Sequence, residues 1–349
     1  MKISFFIGSM RRGGAERVIS ILANHYSKKG WDVEIALLLD TTVGYELNEN
    51  IKVIDLTAGS GSYFKRMPLW IKKIRSYVKS TKPDRVVSFI GRINVLVLNA
   101  LRGLKVPIIV SERNDPKHDG RGAFMLWLCN KSYKKASAIV HQTKYEESCF
   151  SSKLASKSYI VPNPVNVAVE SKSPVPYRIV TAGRLLPQKN HAMLIDAVAM
   201  LKDEFPEVKL DIYGDGSLKD TLSAKIEEIK LEDTVFLMGN VSDLHQRIAD
   251  ADVFVMTSEF EGLSNALIEA MMLGLVCIST DYPGADEVIA HNENGILVPC
   301  RDDKRLAEEL KRVFSDKDFE QKLRNNAKET SQKYRPEEVI KKWEAVIEK

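Results

Sequence analysis

The sequence predicts an α/β protein built from two doubly wound, parallel-sheet domains. Three observations carry this. Short runs rich in β-branched and aliphatic residues alternate with amphipathic helical stretches along all 349 residues. The runs are apolar end to end rather than alternating, which is the pattern of strands covered on both faces by helices. They also form two sets in a chain too long for one ordinary core.

In the first set the strand-like runs are "KISFFI", "DVEIALLL", "IKVIDL", "RVVSFI", "PIIVSE" and "SAIVHQT". In the second they are "YRIVTAG", "VKLDIYG", "TVFLMG", "DVFVMTS", "LVCIST" and "NGILVP". Between the sets lies "VPNPVNVAVESKSPVPY", residues 161–177, with four prolines and little periodicity, which reads as a linker. The boundaries are therefore set at 1–166 and 167–335. A last helix, "PEEVIKKWEAVIEK" (336–349), begins at a proline suited to a first helical turn and is expected to pack back on the first domain. In doubly wound sheets ligands bind beyond the carboxyl ends of the strands, so the two sets of strand ends are expected to face each other across a cleft.

The apolar fraction of 44% and charged fraction of 28% are those of a soluble globular protein. The longest apolar runs fall short of the ~18–20 residues of a membrane span. The opening "MKISFFIGSM" lacks the apolar region and cleavage site of a signal peptide, so a cytoplasmic location is expected. Cys129, Cys149, Cys277 and Cys300 are widely spaced and form no CxxC pair, so they read as free thiols. The net charge of +4 hides an asymmetry: residues 1–166 carry +14 and residues 167–349 carry −10. A basic half suggests an anionic partner, such as a membrane surface or a phosphorylated substrate. Nucleic acid is disfavoured, because basic and aromatic residues are not interleaved.

Three strand-to-helix turns could carry chemistry. "GSMRRGGAERV" brings Gly13 and Gly14 to a helix start whose free amides could cradle an anion. No G-x-G-x-x-G is present, and a plain tight turn explains it equally well. "TAGRLLPQKNHAML" places Arg184 and Lys189 after a strand ending at Gly183. Two cations there suit a diphosphate, with Arg bidentate and Lys a point charge. "EFEGLSNALIEAMMLG" follows the next strand. Ser264 and Asn265 can cap a helix, and the amides of Leu263 to Asn265 form a second anion site. Glu269 then lies in the second turn among apolar residues and needs a hydrogen-bonding partner; a ribose diol would serve.

With these residues in view the chain resembles the retaining family-4 glycosyltransferases of GT-B fold. Their signature is two glutamates separated by seven residues, here Glu261, "GLSNALI" and Glu269, followed by "AMMLG". The resemblance extends to "GGAERV", "GRL…QKN", "IYGDG", "DADVFVMTSEFEG" and "NGILVP", nearly the whole chain. It implies that Arg184 and Lys189 hold the diphosphate and stabilise the leaving group. It implies Glu261 at the donor sugar, Glu269 at the ribose, and Gly14 near the donor phosphate or sugar. The amides from Gly262 would meet the distal phosphate, and the loop at Asn240 the base. It further implies a metal-independent hexosyltransferase with no cofactor beyond its co-substrate, a UDP-hexose or UDP-N-acetylhexosamine. One departure matters. Where many members carry a histidine after the first domain's "S-E", this chain has Arg113, which cannot act as a base and could bind an acceptor phosphate or sugar hydroxyl. His118 reads as a plain loop histidine. "DAD", Asp250 to Asp252, has the letters of a metal motif, but Asp252 opens a buried strand.

Residues 64–79, "FKRMPLWIKKIRSYVK", repeat apolar residues at helical spacing with lysines opposite. That pattern suits either an interfacial anchor or a helix packed on the sheet. "FMLWLCNKSYKK" (124–135) adds a second apolar and basic stretch. The expected acceptor is a lipid-linked or oligosaccharide glycan at an anionic membrane surface, in bacterial surface-polysaccharide synthesis. The alternatives are a UDP-sugar epimerase or phosphorylase of the same fold, or a non-catalytic sugar-nucleotide module. The intact Arg184, Lys189, Glu261 and Glu269 set disfavours the last.

Overall fold

The computed structural model describes every residue except Ser60 and Ser171, and for Tyr63 and Phe64 the backbone alone. Phe64, in the amphipathic stretch 64–79, thus has its side chain outside the described residues. The chain divides into two compact units, Met1–Pro164 with Pro336–Lys349, and Val165–Arg335.

The first unit begins with β1 (Lys2–Ile7), α1 (Gly14–Lys28), β2 (Asp32–Leu37), β3 (Lys52–Asp55), α2 (Tyr63–Thr81), β4 (Arg85–Phe89) and α3 (Gly91–Ala100). It continues with β5 (Ile108–Ser111), α4 (Gly122–Tyr133), β6 (Ala138–His141), α5 (Lys144–Ser148) and β7 (Ser158–Ile160). Its seven strands are all parallel, in the order β3-β2-β1-β4-β5-β6-β7. β1, β4, β5 and β6 are central and nearly wholly buried, because helices cover both faces. The sequence pattern missed β7, a three-residue edge strand that is only half-buried and so has no apolar run.

The second unit holds β8 (Arg178–Ala182), α6 (His191–Ala199), β9 (Lys209–Tyr213), α7 (Lys219–Glu228), β10 (Val235–Gly239), α8 (Leu244–Ile248) and β11 (Val253–Met256). It continues with α9 (Asn265–Met272), β12 (Val276–Thr280), β13 (Ile296–Val298), α10 (Asp303–Ser315) and α11 (Lys317–Ser331). Its strand order is β10-β9-β8-β11-β12-β13, again all parallel. Both orders reverse direction beside the first strand, the doubly wound arrangement. The reversal puts a crevice at the carboxyl ends of β8 and β11, where the loops carrying Lys189 and Glu261 begin.

α12 (Pro336–Ile347) belongs to the first unit, where Val339, Trp343, Val346 and Ile347 join the buried core that also holds Phe5, Val18 and Val33, and Trp343 stacks on Phe89 with ring centres 5.8 Å apart. α2 is amphipathic as read, but its apolar stripe is core. Trp70, Ile74, Tyr77 and Val78 are buried with Phe6, Ala36 and Leu38, and the Trp70 indole donates to Leu38 O at 2.8 Å. The interfacial-anchor reading of α2 is therefore corrected: helical spacing of apolar residues is the same whether they face lipid or protein. Lys73 and Arg75 bend onto the backbone as well, at Thr57 O (2.6 Å) and Ala100 O (2.9 Å). Among the described residues no helix is long and apolar enough to cross a membrane.

Candidate active site

β8 runs straight into the basic turn. Gly183 N donates to Tyr213 O at 2.9 Å and Leu185 N to Asp215 O at 3.0 Å, so the "GR" turn is laid against the "GDG" turn that follows β9. Pro187 to Lys189 then form a 3-10 turn, and Asn190 takes a left-handed conformation (φ 44°) before α6. Asn tolerates that region better than most residues. The Arg184 side chain is exposed. Lys189 is half-buried, and its ammonium is ion-paired with Glu261.

β11 leads to the acidic partner. Ser258 donates its hydroxyl to Glu261 Oε1 at 2.7 Å, the same oxygen that Lys189 holds. Thr257 Oγ1 donates to Lys189 O at 2.9 Å, tying the two loops from the other side. Ser264 caps α9: its hydroxyl accepts from Leu267 N at 3.4 Å, as its identity predicts. Leu263 and Ser264 are buried, Gly262 and Asn265 half-buried. The first turn of α9, with the partial positive charge of a helix N-terminus, therefore lies one short loop away from the Lys189–Glu261 pair. Glu269, one turn further on, is largely buried, and its carboxylate stands 3.2 Å from His245 Nε2 on α8.

The other expected residues are placed as follows. Asn240 is exposed directly after β10, where Gly239 (φ 67°) turns the chain and its carbonyl accepts from Gly214 N at 2.9 Å. Gly14 opens α1 in the first unit, and the preceding Gly13 is latched at both its N–H and C=O by the Tyr45 hydroxyl, at 3.1 and 2.8 Å. Asp250 and Asp252 are engaged by arginines, Asp250 by Arg178 and Asp252 by Arg324, and Asp252 also accepts from Tyr177 N at 2.8 Å. His118 accompanies Asp115 at 2.6 Å.

Arg113 is 7% exposed. Its Nε donates to Ser111 Oγ at 2.8 Å, and its Nη1 to Asn163 Oδ1 at 3.0 Å and Val161 O at 3.2 Å. The guanidinium lies 5.2 Å from the Trp343 ring centre. Burial pulls it below the usual guanidinium range, opposed by the charges of Glu146 and Glu112. It ties β5, the end of the first unit's main segment and α12 together, while its Nη2 has no hydrogen-bond partner among the described residues.

Sequence reasoning missed several supports. Gln188 Nε2 donates to Phe260 O at 2.7 Å, while Glu259 N donates back to Gln188 O at 2.8 Å. Thr280 Oγ1 donates to Ser258 O at 2.5 Å. Arg301 grips Glu259, and His245 meets Glu269. Ser258 and Gln188 adjoin recognised motifs and were open to inspection. Arg301 and His245 lie far away in sequence, and no local pattern marks them.

Two parallel doubly wound units, the second with a basic turn and a glutamate-bearing helix at its switch point, define a GT-B glycosyltransferase. The comparisons agree. Residues 12–169 match the model of Glycosyltransferase Family 4, and residues 166–330 that of Glycosyl transferases group 1. The chain belongs to this glycosyltransferase family. It is 28% identical over 99% of its length, and 98% of the relative's, to the Campylobacter jejuni protein named GalNAc-alpha-(1->4)-GalNAc-alpha-(1->3)-diNAcBac-PP-undecaprenol alpha-1,4-N-acetyl-D-galactosaminyltransferase. A second C. jejuni relative, N-acetylgalactosamine-N,N'-diacetylbacillosaminyl-diphospho-undecaprenol 4-alpha-N-acetylgalactosaminyltransferase, is 29% identical over 94% of both chains. Among solved structures, Anabaena HepE in complex with UDP superposes with a TM-score of 0.84 over 99% of each chain at 20% identity.

Proposed function

We propose that the protein is a retaining hexosyltransferase that moves a sugar from a UDP donor, a UDP-hexose or UDP-N-acetylhexosamine, to a lipid-linked glycan in bacterial surface-polysaccharide synthesis. The second unit binds the donor; the first serves the acceptor. The observation that carries this is the Lys189–Glu261 pair, set between the Gly183–Arg184 turn and the first turn of α9. The names of the C. jejuni relatives support the lipid-linked acceptor, and the HepE complex supports UDP.

In this reading Lys189 and Arg184 meet the diphosphate, aided by the amides of Gly262, Leu263, Ser264 and Asn265. Glu269 accepts from the ribose hydroxyls, Asn240 lies by the base and Glu261 contacts the sugar; the family role of Gly14, backbone near donor phosphate, is proposed with them. Breaking the sugar–phosphate bond develops negative charge on the diphosphate and positive charge on the ring. Fixed cations and helix amides aimed at the first, and a carboxylate near the second, lower the barrier without rearrangement during the reaction. The charge on the leaving group is met by protein groups, so the scheme needs no metal ion. With retention, the departing phosphate takes the acceptor hydroxyl's proton as that oxygen attacks.

A peripheral site on an anionic membrane surface is part of the same proposal, and α4 rather than α2 supports it. Phe124 and Trp127 on α4 are 70% and 55% exposed, with rings stacked 5.9 Å apart. Lys131 Nζ sits 5.1 Å from the Trp127 ring, and the unit as folded carries +13. An exposed aromatic pair beside lysines is suited to the interface of an anionic bilayer.

Calorimetric titration with UDP tests the donor site. Wild-type protein is expected to bind, and Lys189→Ala to bind at least tenfold more weakly, a loss of ~1.4 kcal/mol or more. Glu261→Ala should keep most of the UDP affinity and lose sugar transfer. Wild-type protein indifferent to UDP would remove the reading, and undiminished affinity in Lys189→Ala would remove that residue's role.

A further inference from the structure

Glu259 stands two residues before Glu261, and the family signature gives it no task. In the structure its side chain is held by two partners from other segments. Arg301 Nε lies 2.7 Å from Oε1 and 3.0 Å from Oε2, Arg301 Nη2 bonds Oε2 as well, and Asn190 Nδ2 approaches Oε1 at 3.4 Å. This fork on a carboxylate fixes direction as well as distance. Arg301 holds it from a strained position. Its φ of 64° is in the left-handed region that non-glycine residues seldom occupy, and it lies in the loop between β13 and α10.

The loop at 258–261 is also held by the basic turn and by β12, and Cys300 Sγ, next to Arg301, approaches Ser258 O at 3.9 Å. Gln188 exchanges two hydrogen bonds with Glu259 N and Phe260 O, and Thr280 holds Ser258 O. Arg301 thus supplies a third direction of restraint, from β13. Glu259, Arg301, Gln188, Asn190 and Phe260 line a pocket of about 660 Å³ beside the loop, so room exists for the loop to shift if the fork is lost. The Lys189–Glu261 pair sits on the same two segments and depends on their register.

We propose that Glu259 and Arg301 form a clamp that positions the Phe260–Glu261 peptide, and with it the Glu261 carboxylate, against Lys189. The clamp touches neither donor nor acceptor; both members are positioning residues. This rests on the donor-site reading above. The pair is largely solvent-exposed on the Arg301 side, at 75%, so it contributes little to folding stability. A positioning role is therefore separable from a structural one.

The test compares wild type with Arg301→Ala, Arg301→Lys, Glu259→Gln and the double variant Glu259→Gln/Arg301→Ala. Transfer kinetics, UDP affinity by calorimetry and thermal midpoint are measured for each. Arg301→Ala should lose at least tenfold in kcat, with UDP affinity within twofold and the thermal midpoint essentially unchanged. Arg301→Lys, which keeps the charge but not the fork, should recover part of kcat. The double variant should be no worse than the poorer single variant, because both break the same restraint. Unchanged kcat, additive losses, or a kcat that falls only in step with the thermal midpoint would overturn the clamp. Wild-type protein that binds no UDP would instead overturn the underlying reading, and the clamp with it.

Discussion

Gly214 illustrates how strongly a site residue can depend on a neighbour from another loop. It has φ 142°, and a Cβ built there would lie 1.9 Å from Gly183 O, the residue that follows β8 and precedes Arg184. Neither the backbone conformation nor the space admits a side chain. Gly183 is different, because the nearest atoms its own Cβ would meet are Lys189 Cδ and Cε at 3.3 Å, the flexible part of a long side chain. Gly214→Ala should therefore cost stability on the order of 1–3 kcal/mol from strain alone, plus the displacement of the basic turn. Gly183→Ala should cost clearly less. Urea midpoints of the two variants check this, and a wild-type midpoint for Gly214→Ala would refute it. The "IYGDG" stretch was legible as a motif, but its reason was not, since the clash lies across two strands. The same division runs through the site. Glu261, Ser264 and Glu269 were readable because they share one loop and one helix. Ser258, Gln188, His245 and Arg301 act from other segments, and only folding brings them to those carboxylates.

At the scale of elements, the apolar runs located twelve of the thirteen described strands, the central ones because a strand buried on both faces must be apolar throughout. β7 escaped because an edge strand need not be. The two amphipathic stretches of the first unit divide in an informative way. In α2 the tryptophan is fully buried; in α4 the tryptophan and phenylalanine are outside, while Cys129 and Tyr133 are inside. Periodicity gives the width of an apolar face and not what covers it. Exposure then shifts the membrane hypothesis from α2 to α4. Replacing Phe124 and Trp127 together by Ser should reduce co-sedimentation with phosphatidylglycerol vesicles several-fold. Folding stability should change by about 0.5 kcal/mol or less per site, since both side chains are largely in solvent. Binding equal to wild type would show that α4 is not the docking face.

The whole molecule combines two units whose acid response should differ. His141 in the first unit and His191 in the second are buried, and each is held neutral down to about 4 from an ordinary value of 6.5. Burial is the main cause in both; Arg113 adds to it at His141, and Lys189 adds to it at His191 against opposing backbone bonds at Arg184 and Gly183. The folded pKa is depressed, so each contributes stability that is complete above pH 6.5 and is lost as pH falls toward 4. The loss is up to roughly 3 kcal/mol per histidine. In the first unit Glu146 opposes this. Its carboxyl is pushed well above the ordinary range by burial and by Glu112, so the folded state gains from its protonation as pH falls toward 4.5. In the second unit Asp252 is also raised by burial, but Arg324 and Lys317 pull it back. The second unit should therefore loosen first on acidification. All four tryptophans, Trp31, Trp70, Trp127 and Trp343, lie in the first unit, so their fluorescence reports that unit alone. Between pH 6.5 and 4 the far-ultraviolet dichroism should begin to fall at a higher pH than the tryptophan emission shifts. His191→Gln should bring the two transitions together by removing the titrating group from the second unit. Coincident transitions in the wild-type protein would mean that the two units respond to acid as one, and that the buried histidines do not set the order in which they open.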